Sequence, residues 1–395
     1  FKGIFKIINN SFFLNMGLIS YSLYLWHQPI YQFFKQIYFQ DFGYQIKFMI
    51  IFLMIFISYL TYNLVEKPFR QKKIFNQKKI FIFYILLSFV IAAFSLNQIF
   101  LKDFSNKYSN KVISIENHSN YYKNNDFECS TNANKYISPE RSCVLGDNKT
   151  PKIAFIGDSH MDLITLEIKK LLNQNKISAV QYTYGGCVPA LGLKVFNDKR
   201  YRCNEYFEEL INDLKNRDNI KKVILFSRWS FNLTGVRFDN HNGGKEIGKN
   251  HYHISLNKSL LGENERREQE ILESIEKFIN EIFKLNKEIF IVFPTPEMGW
   301  EIPKNLARIM YFKNKIDQNT LSISKEVYMD RNKKIIKFFN TIKEKYNLNI
   351  INPINIFCDQ KICVSHINNK PLFFDDDHMS EFGSELLSKF IISKL

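Results

Sequence analysis

The segment Lys152-Ile-Ala-Phe-Ile-Gly-Asp-Ser-His-Met-Asp-Leu-Ile164 constrains the fold more than any other. Its apolar run, Ile153 to Ile156, stops at Gly157-Asp158-Ser159-His160 and gives way to an apolar-periodic segment. A short apolar run ended by glycine reads as a buried parallel strand, and the periodic segment as a helix. Ser159 then lies at a strand-to-helix turn, its hydroxyl at the carboxyl end of a strand. Free amides at a helix N-terminus favour developing negative charge there. Serine is also a favoured N-cap, so this segment alone leaves a nucleophile and a cap as alternatives. Asp158 and His160 read as turn and helix-start residues.

From residue 151 onward, strand-like and helix-like segments alternate. Strands are expected at 152–157, 177–183, 221–227, 288–294 and 348–353, and helices at 159–173, 203–216, 264–285, 331–346 and 380–394. Such alternation predicts a parallel sheet with helices on both faces. Ligands of such sheets bind at the carboxyl ends of the strands, where Ser159 falls. Residues 229–262 and 297–330 read as long excursions that serve as acceptor-binding loops.

Near the C-terminus the chain reads Phe374-Asp375-Asp376-Asp377-His378-Met379-Ser380, followed by an amphipathic helix to Leu395. A nucleophilic serine needs a base, and the base needs a carboxylate that fixes its tautomer. Asp375 and His378 can supply both, although an acidic turn capping the last helix is the plain alternative. The two blocks together, Gly157-Asp158-Ser159 and Asp375-x-x-His378, resemble those of the SGNH hydrolase/transferase family in type, order and placement. The resemblance implies a three-layer α/β/α domain over 151–395 with Ser159, His378 and Asp375 as its triad. It also implies oxyanion donors at the Ser159 amide and at Gly186, with Gly185 close behind, because Gly185-Gly186-Cys187-Val188-Pro189 resembles the family's second block. The third block departs: where many members have Gly-x-Asn, this chain reads Ser227-Arg228-Trp229-Ser-Phe-Asn232. Arg228, Trp229 and Asn232 are expected to touch substrate. Arg228 would bind an acyl oxygen or an anionic sugar and Trp229 would stack on a sugar ring; the alternative is that both pack, or that Arg228 pairs with an acid.

The N-terminal quarter has a different character. Met16 to about Ile37, Phe48 to about Leu64 and Ile80 to about Phe100 are apolar stretches that suit transmembrane helices, the last of them uncharged throughout. Between the second and third lies the basic stretch Glu66 to Lys79, which the positive-inside rule places in the cytoplasm. Everything after about residue 101 is then extracytoplasmic. Ile19-Ser-Tyr-Ser-Leu-Tyr-Leu-Trp-His27 and Tyr62-Asn-Leu-Val-Glu66-Lys-Pro-Phe-Arg70 resemble the end of the membrane domain of acyltransferase family 3 proteins. Members of that family that acetylate O-antigen and other surface polysaccharides often carry an extra membrane helix and then an SGNH domain, which is the order seen here. The chain, opening at Phe1, is expected to be the C-terminal part of such a protein. Residues 1–70 would end the membrane domain, 71–100 would hold the basic loop and additional helix, and 101–150 would be a periplasmic linker and cap. His27 has two readings, a residue lining the membrane domain's interior or an interfacial histidine beside Trp26 and Pro29.

All six cysteines lie beyond residue 128 and form three sequence-local couples: Cys129 and Cys143, Cys187 and Cys203, Cys358 and Cys363. An even count away from the membrane segments reads as disulfides in an oxidising compartment, in agreement with the topology. Pairing within each couple is expected, though sequence alone does not fix connectivity. Zinc is the rival, and it lacks Cys-x-x-Cys spacing. His251-Tyr-His253 is set aside as a metal pair for want of a carboxylate partner. The charge of +15 comes from scattered lysines, and no nucleic-acid-binding motif accompanies it. No nucleotide loop is present, and no cofactor or metal is expected in this chain. By resemblance, acetyl-CoA would supply the acyl group to the full-length membrane domain, and the acceptor would be a surface polysaccharide or lipid-linked glycan. A periplasmic carbohydrate esterase using the same triad, and a membrane-tethered glycan-binding module without catalysis, are the competing readings.

Overall fold

The computed structural model describes residues 11–38, 43–70, 77–100, 108–121, 128–146, 150–196, 198–256 and 264–395. They fall into two compact units, Phe1–Ser109 and Asn110–Leu395.

The first unit is helical. Ser11–Ile37 is one helix, and a second runs from Tyr44 through a π-helical turn at Tyr62–Glu66 to Arg70. A third spans Gln77–Phe100. The polar residues of the first helix find partners on the second: Ser22 Oγ donates to Glu66 Oε2 at 2.8 Å and Trp26 Nε1 to Thr61 Oγ1 at 2.9 Å. Among the described residues, only Tyr44–Arg70 is long and apolar enough to cross a membrane, and the described apolar stretch of the third helix is the shorter Phe81–Leu96. The exposed His27 ring turns back on its own helix, with Nδ1 2.6 Å from the Tyr24 carbonyl. Residues 71–76 of the basic stretch lie outside the described residues.

The described residues of the second unit hold twelve strands in chain order: β1 (Val144–Leu145), β2 (Ile153–Gly157), β3 (Ala179–Thr183), β4 (Leu193–Val195), β5 (Lys222–Phe226), β6 (His253–Ser255), β7 (Glu288–Val292), β8 (Ile323–Ser324), β9 (Asn349–Ile351), β10 (Ile362–Cys363), β11 (His366–Ile367) and β12 (Lys370–Pro371). Six of them form one sheet in the order β1-β3-β2-β5-β7-β9. All its pairings are parallel except that of β1 with β3. Every residue of β2 is buried, as expected of a strand covered on both faces. Ala154, Ile156, Val180, Tyr182, Val223, Leu225, Ile289 and Ile291 pack with the apolar faces of helices Cys203–Lys215, Asn264–Lys284 and Lys325–Ile342. Helix Ser159–Gln174 packs against β2 and β3, with Glu381–Ile392 beside it.

The strand order reverses direction between β2 and β5: the chain leaves β2 for β3 on one side and returns to β5 on the other. The crevice at such a switch point is where doubly wound sheets place ligands. Ser159 follows β2 and Ser227 follows β5, so both open onto it.

The five expected strands and five expected helices are present with end shifts of a few residues, except that the helix expected at 331–346 begins earlier, at Lys325, where Ser324 Oγ caps the Val327 amide. The excursions are more ordered than expected. They contain helices Trp229–Thr234 and Ile302–Lys313. The segment read as a linker and cap also contributes to the sheet. β1 is its antiparallel edge strand, and Thr131 bridges in parallel to Tyr184 just beyond β3. The Ser130 hydroxyl donates to buried Asp162, which also accepts from Gln181 Nε2 at 2.7 Å and Thr183 Oγ1 at 2.9 Å. Burial pushes the Asp162 carboxyl up to about 6. Cys129–Cys143, Cys187–Cys203 and Cys358–Cys363 are disulfides, with Cα separations of 5.6, 5.5 and 3.9 Å.

Gly157 is needed for close approach. A Cβ there would lie 1.9 Å from the Phe226 carbonyl oxygen of β5 and 2.5 Å from Met161 Cβ. Neither backbone can retreat without opening β2 from β5. Gly157→Ala should therefore lower unfolding stability by at least about 3 kcal/mol, the upper part of the range for overpacking. A shift in the urea midpoint of the second unit's unfolding would measure it, and a change below about 1 kcal/mol would contradict the packing argument.

Candidate active site

Ser159 occupies the first position of helix Ser159–Gln174, and Asp158 is the cap: its Oδ1 accepts from the His160 amide at 2.9 Å. Asp158 does more than cap. Its Oδ2 accepts from Ser227 Oγ at 2.6 Å, the Arg228 amide at 2.9 Å and Asn232 Nδ2 at 2.7 Å. One carboxylate thus stitches the ends of β2 and β5 together beneath Ser159.

Although 219 positions apart in sequence, Ser159 Oγ and His378 Nε2 lie 3.0 Å apart. His378 Nδ1 is 2.9 Å from Asp375 Oδ2. Asp375 Oδ1 accepts from the amides of Asp377 at 3.0 Å and His378 at 2.7 Å, so the same side chain shapes the loop it acts in. Three further backbone bonds hold that loop from outside: Met298 N and Gly299 N to Asp376 O at 2.8 and 3.2 Å, and Ile302 N to Asp375 O at 3.1 Å. The Phe374 ring stacks on His378 with centroids 5.6 Å apart. Such a line of hydroxyl, imidazole and carboxylate can remove a proton from serine as it attacks.

Around this line lies a buried ionic cluster. Arg228, 8% exposed, meets Glu246 at 2.7 Å, Asp377 at 2.8 Å and also Glu297. Arg237 pairs with Glu246, and Arg331 with Glu297 at 2.6 Å. Asp377 further receives His160 Nε2 at 3.0 Å and lies 3.1 Å from His378 Nδ1. Burial disfavours a charged imidazole at His378, but the carboxylates of Asp377 and Asp375 outweigh it and hold the ring well above the ordinary histidine value. Burial likewise opposes charge on Asp377; Arg228 and His378 reverse this and hold it well below the usual carboxylate range. At Asp376 the balance falls the other way: burial and the carboxylates of Asp377, Asp375 and Glu246 outweigh Arg228 and push it up to about 8.

Several expected roles change. Trp229 is fully buried, donates from Nε1 to the Val292 carbonyl at 2.9 Å and packs edge-on against Phe339. It cannot stack on a sugar. Asn232, 1% exposed, spends its amide on Asp158 and Ser227. Arg228 is engaged by acids on three segments, the alternative left open by the sequence. All three side chains are engaged by partners within the protein.

The oxyanion donors are narrowed. The Gly185 amide donates to Thr131 O at 2.9 Å and is therefore spent. Gly186 sits at the third position of the turn Tyr184–Cys187, closed by Cys187 N to Tyr184 O at 3.0 Å. Its φ of +81° favours glycine, and a Cβ would also strike the Tyr201 ring at 2.8 Å. No backbone acceptor takes its amide among the described residues. His251 Nε2 meets the Gly186 carbonyl at 2.7 Å from the far side. The Ser159 amide is among the first-turn groups of its helix, which have no intrahelical acceptor. A Cβ on Gly185 would be 3.9 Å from Ser159 Cβ, which places the turn beside the serine.

Ligand atoms of His160, Asp377 and His378, and of Glu246, Asp376 and Asp377, come within 4.8 Å of one another. Asp377, common to both groups, is paired with Arg228 at 2.8 Å. His251 and His253 stack edge-on at 5.1 Å, and burial pushes His253 down to about 3.

The parallel sheet, the switch-point serine and its histidine define an α/β fold of the serine-hydrolase type. A family model described as "SGNH domain (fused to AT3 domains)" matches residues 128–393, and the chain belongs to that family. No curated protein matches it. Among solved structures, it is similar to the periplasmic domain of a lipopolysaccharide acetyltransferase from Salmonella ser. Paratyphi A. That match has 16% identity and a TM-score of 0.49 and covers 72% of this chain and 98% of that one. It is also similar to a GDSL-like lipase from Bacteroides thetaiotaomicron, with 9% identity and a TM-score of 0.31 over 71% of this chain and 97% of that one.

The raised His378 value has a consequence for stability. Its charged form stabilises the fold fully below the unfolded value of about 6.5, and this contribution fades as pH rises through the higher folded value. The stability lost in His378→Gln should therefore be larger at pH 6 than at strongly alkaline pH. Urea midpoints at both pH values check this, and an equal loss at both would contradict it.

Proposed function

We propose that this chain transfers an acyl group, most simply acetyl, to a sugar hydroxyl of a cell-surface polysaccharide or lipid-linked glycan. The observation that carries the reading is the line Ser159–His378–Asp375, set in a domain whose family is fused to AT3 membrane domains. Ser159 Oγ attacks the acyl carbonyl of the donor while His378 Nε2 takes its proton. The oxyanion forms against the amides of Ser159 and Gly186. Collapse of the intermediate expels the donor's leaving group, which takes the proton from His378, and leaves Ser159 acylated. A sugar hydroxyl then attacks the ester, His378 takes that proton, and the serine is released as the proton returns to its oxygen. Acetyl-CoA would be the original donor, used by a membrane acyltransferase domain rather than bound by residues 128–393.

In this reading the helices between Ser11 and Phe100 cross the membrane of a bacterial envelope several times, with the basic stretch around Lys67–Lys79 on the cytoplasmic side. The unit from Asn110 onward then works in the periplasm. Three disulfides in that unit support an oxidising compartment.

The test is surface polysaccharide O-acetylation in cells carrying the full-length protein, wild type against Ser159→Ala at matched expression. Loss of at least about 99% of the protein-dependent acetyl ester is expected, since removing a triad member costs several orders of magnitude. Increased acetylation in the variant would instead identify an esterase. Unchanged acetylation, with the variant folded and present, would remove Ser159 from the chemistry and favour a glycan-binding role.

A further inference from the structure

We propose that Asp377, held in place by Arg228 and His160, is a second orienting carboxylate for His378, acting on the same ring nitrogen as Asp375. The inference rests on the reading of Ser159 and His378 as nucleophile and base, and it assigns Asp377 a positioning role.

The geometry at Nδ1 is two-sided. Asp375 Oδ2 approaches at 2.9 Å and Asp377 Oδ1 at 3.1 Å. The two acids are differently employed and differently buried. Asp375, with 22% of its side chain exposed, uses its other oxygen to close its own loop. Asp377, with 2% exposed, turns its other oxygen to His160 Nε2 at 3.0 Å and Arg228 Nε at 2.8 Å. A charge acts more strongly where water is excluded, so the more buried carboxylate is well suited to hold an imidazolium. Removed from water, it would be costly without a cation, and Arg228 supplies one.

The other groups near His378 do not replace this role. Asp376 faces the same region, but burial and its neighbours push it up to about 8, and it adds little charge at neutral pH. Glu246 and Glu297 reach the ring only through Arg228. The His160 ring lies 4.6 Å from the His378 ring, yet its Nε2 is directed to Asp377. Ser159 faces Nε2, the opposite nitrogen. With two carboxylates on Nδ1, His378 stays charged above its ordinary range, and serine activation belongs to the alkaline side of it.

Labelling of Ser159 by a fluorophosphonate reads this directly. The serine oxygen attacks phosphorus, the P–F bond breaks, fluoride leaves, and His378 takes the serine proton. The full chain in detergent micelles would be labelled from acid to alkaline pH as wild type, Ser159→Ala, Asp377→Asn and Asp375→Asn. Wild-type labelling should rise through a limb above about pH 6.5. In Asp377→Asn that limb should move to lower pH by about one unit or more, as expected when an opposite charge is lost beside a titrating group. Asp375→Asn should keep roughly a tenth or more of the plateau rate, because Asp377 still fixes the tautomer; losing a sole orienter costs about 10⁴-fold. An unmoved limb in Asp377→Asn, or a 10⁴-fold loss in Asp375→Asn, would overturn the inference while leaving the nucleophile in place. If Asp377→Asn does not fold, Asp375→Asn decides alone. Wild type that resists labelling, or Ser159→Ala that labels equally, would overturn the nucleophile itself and this inference with it.

Discussion

A guanidinium buried at the carboxyl end of β5 organises the site. Arg228 has left water, and a charge in that position is tolerated only with anions in good geometry. Glu246, Glu297 and Asp377 supply them from three separate segments. Each segment also carries something the chemistry uses. The Asp377 loop holds His378. The stretch after Glu297 donates amides to the carbonyls of Asp375 and Asp376. The stretch after Glu246 leads to His251, which meets the Gly186 carbonyl. One cation therefore couples three loops around Ser159. An apolar side chain at this one position would leave the buried carboxylates of Glu246, Glu297 and Asp377 short of a cation, a loss of about 3–5 kcal/mol, and would no longer set the position of the base.

A second brace comes from the sheet edge. Residues 128–145 form a disulfide-closed segment that adds β1 to β3 and bridges Thr131 to Tyr184. The same segment takes up the Gly185 amide, whereas no backbone acceptor among the described residues takes that of Gly186. Cys187–Cys203 and the stacking of Tyr184 on Tyr201 fix the turn from below. The family match begins at residue 128, consistent with this segment being structural rather than a tether.

Much of this was legible in the sequence because the signals are local. Strands buried on both faces read as continuous apolar runs, and Gly157-Asp158-Ser159 and Asp375-x-x-His378 are short blocks whose partners sit in one turn or loop. The cysteine couples pair with their sequence neighbours for the same reason. What was missed depends on tertiary placement. An Arg-Trp pair after a strand suits a ligand or the interior equally, and nothing local decides that Arg228 will be met by acids up to 149 positions away or that Trp229 will be enclosed. β1, two residues long, has no periodicity to read. Helix Ile302–Lys313 did carry a signal, since Pro303 near its start is followed by Leu306, Ile309 and Met310 on one buried side, but its length within a polar excursion obscured it.

The account turns on one covalent species, an acyl group on Ser159. Acid-quenched full-length protein, taken from membranes supplied with isotope-labelled acetyl-CoA and acceptor glycan, should yield a Ser159-containing peptide heavier by one labelled acetyl group. That adduct should disappear as added acceptor is acetylated. Labelled acetyl reaching the glycan at full rate with none ever present on the Ser159 peptide would contradict the account.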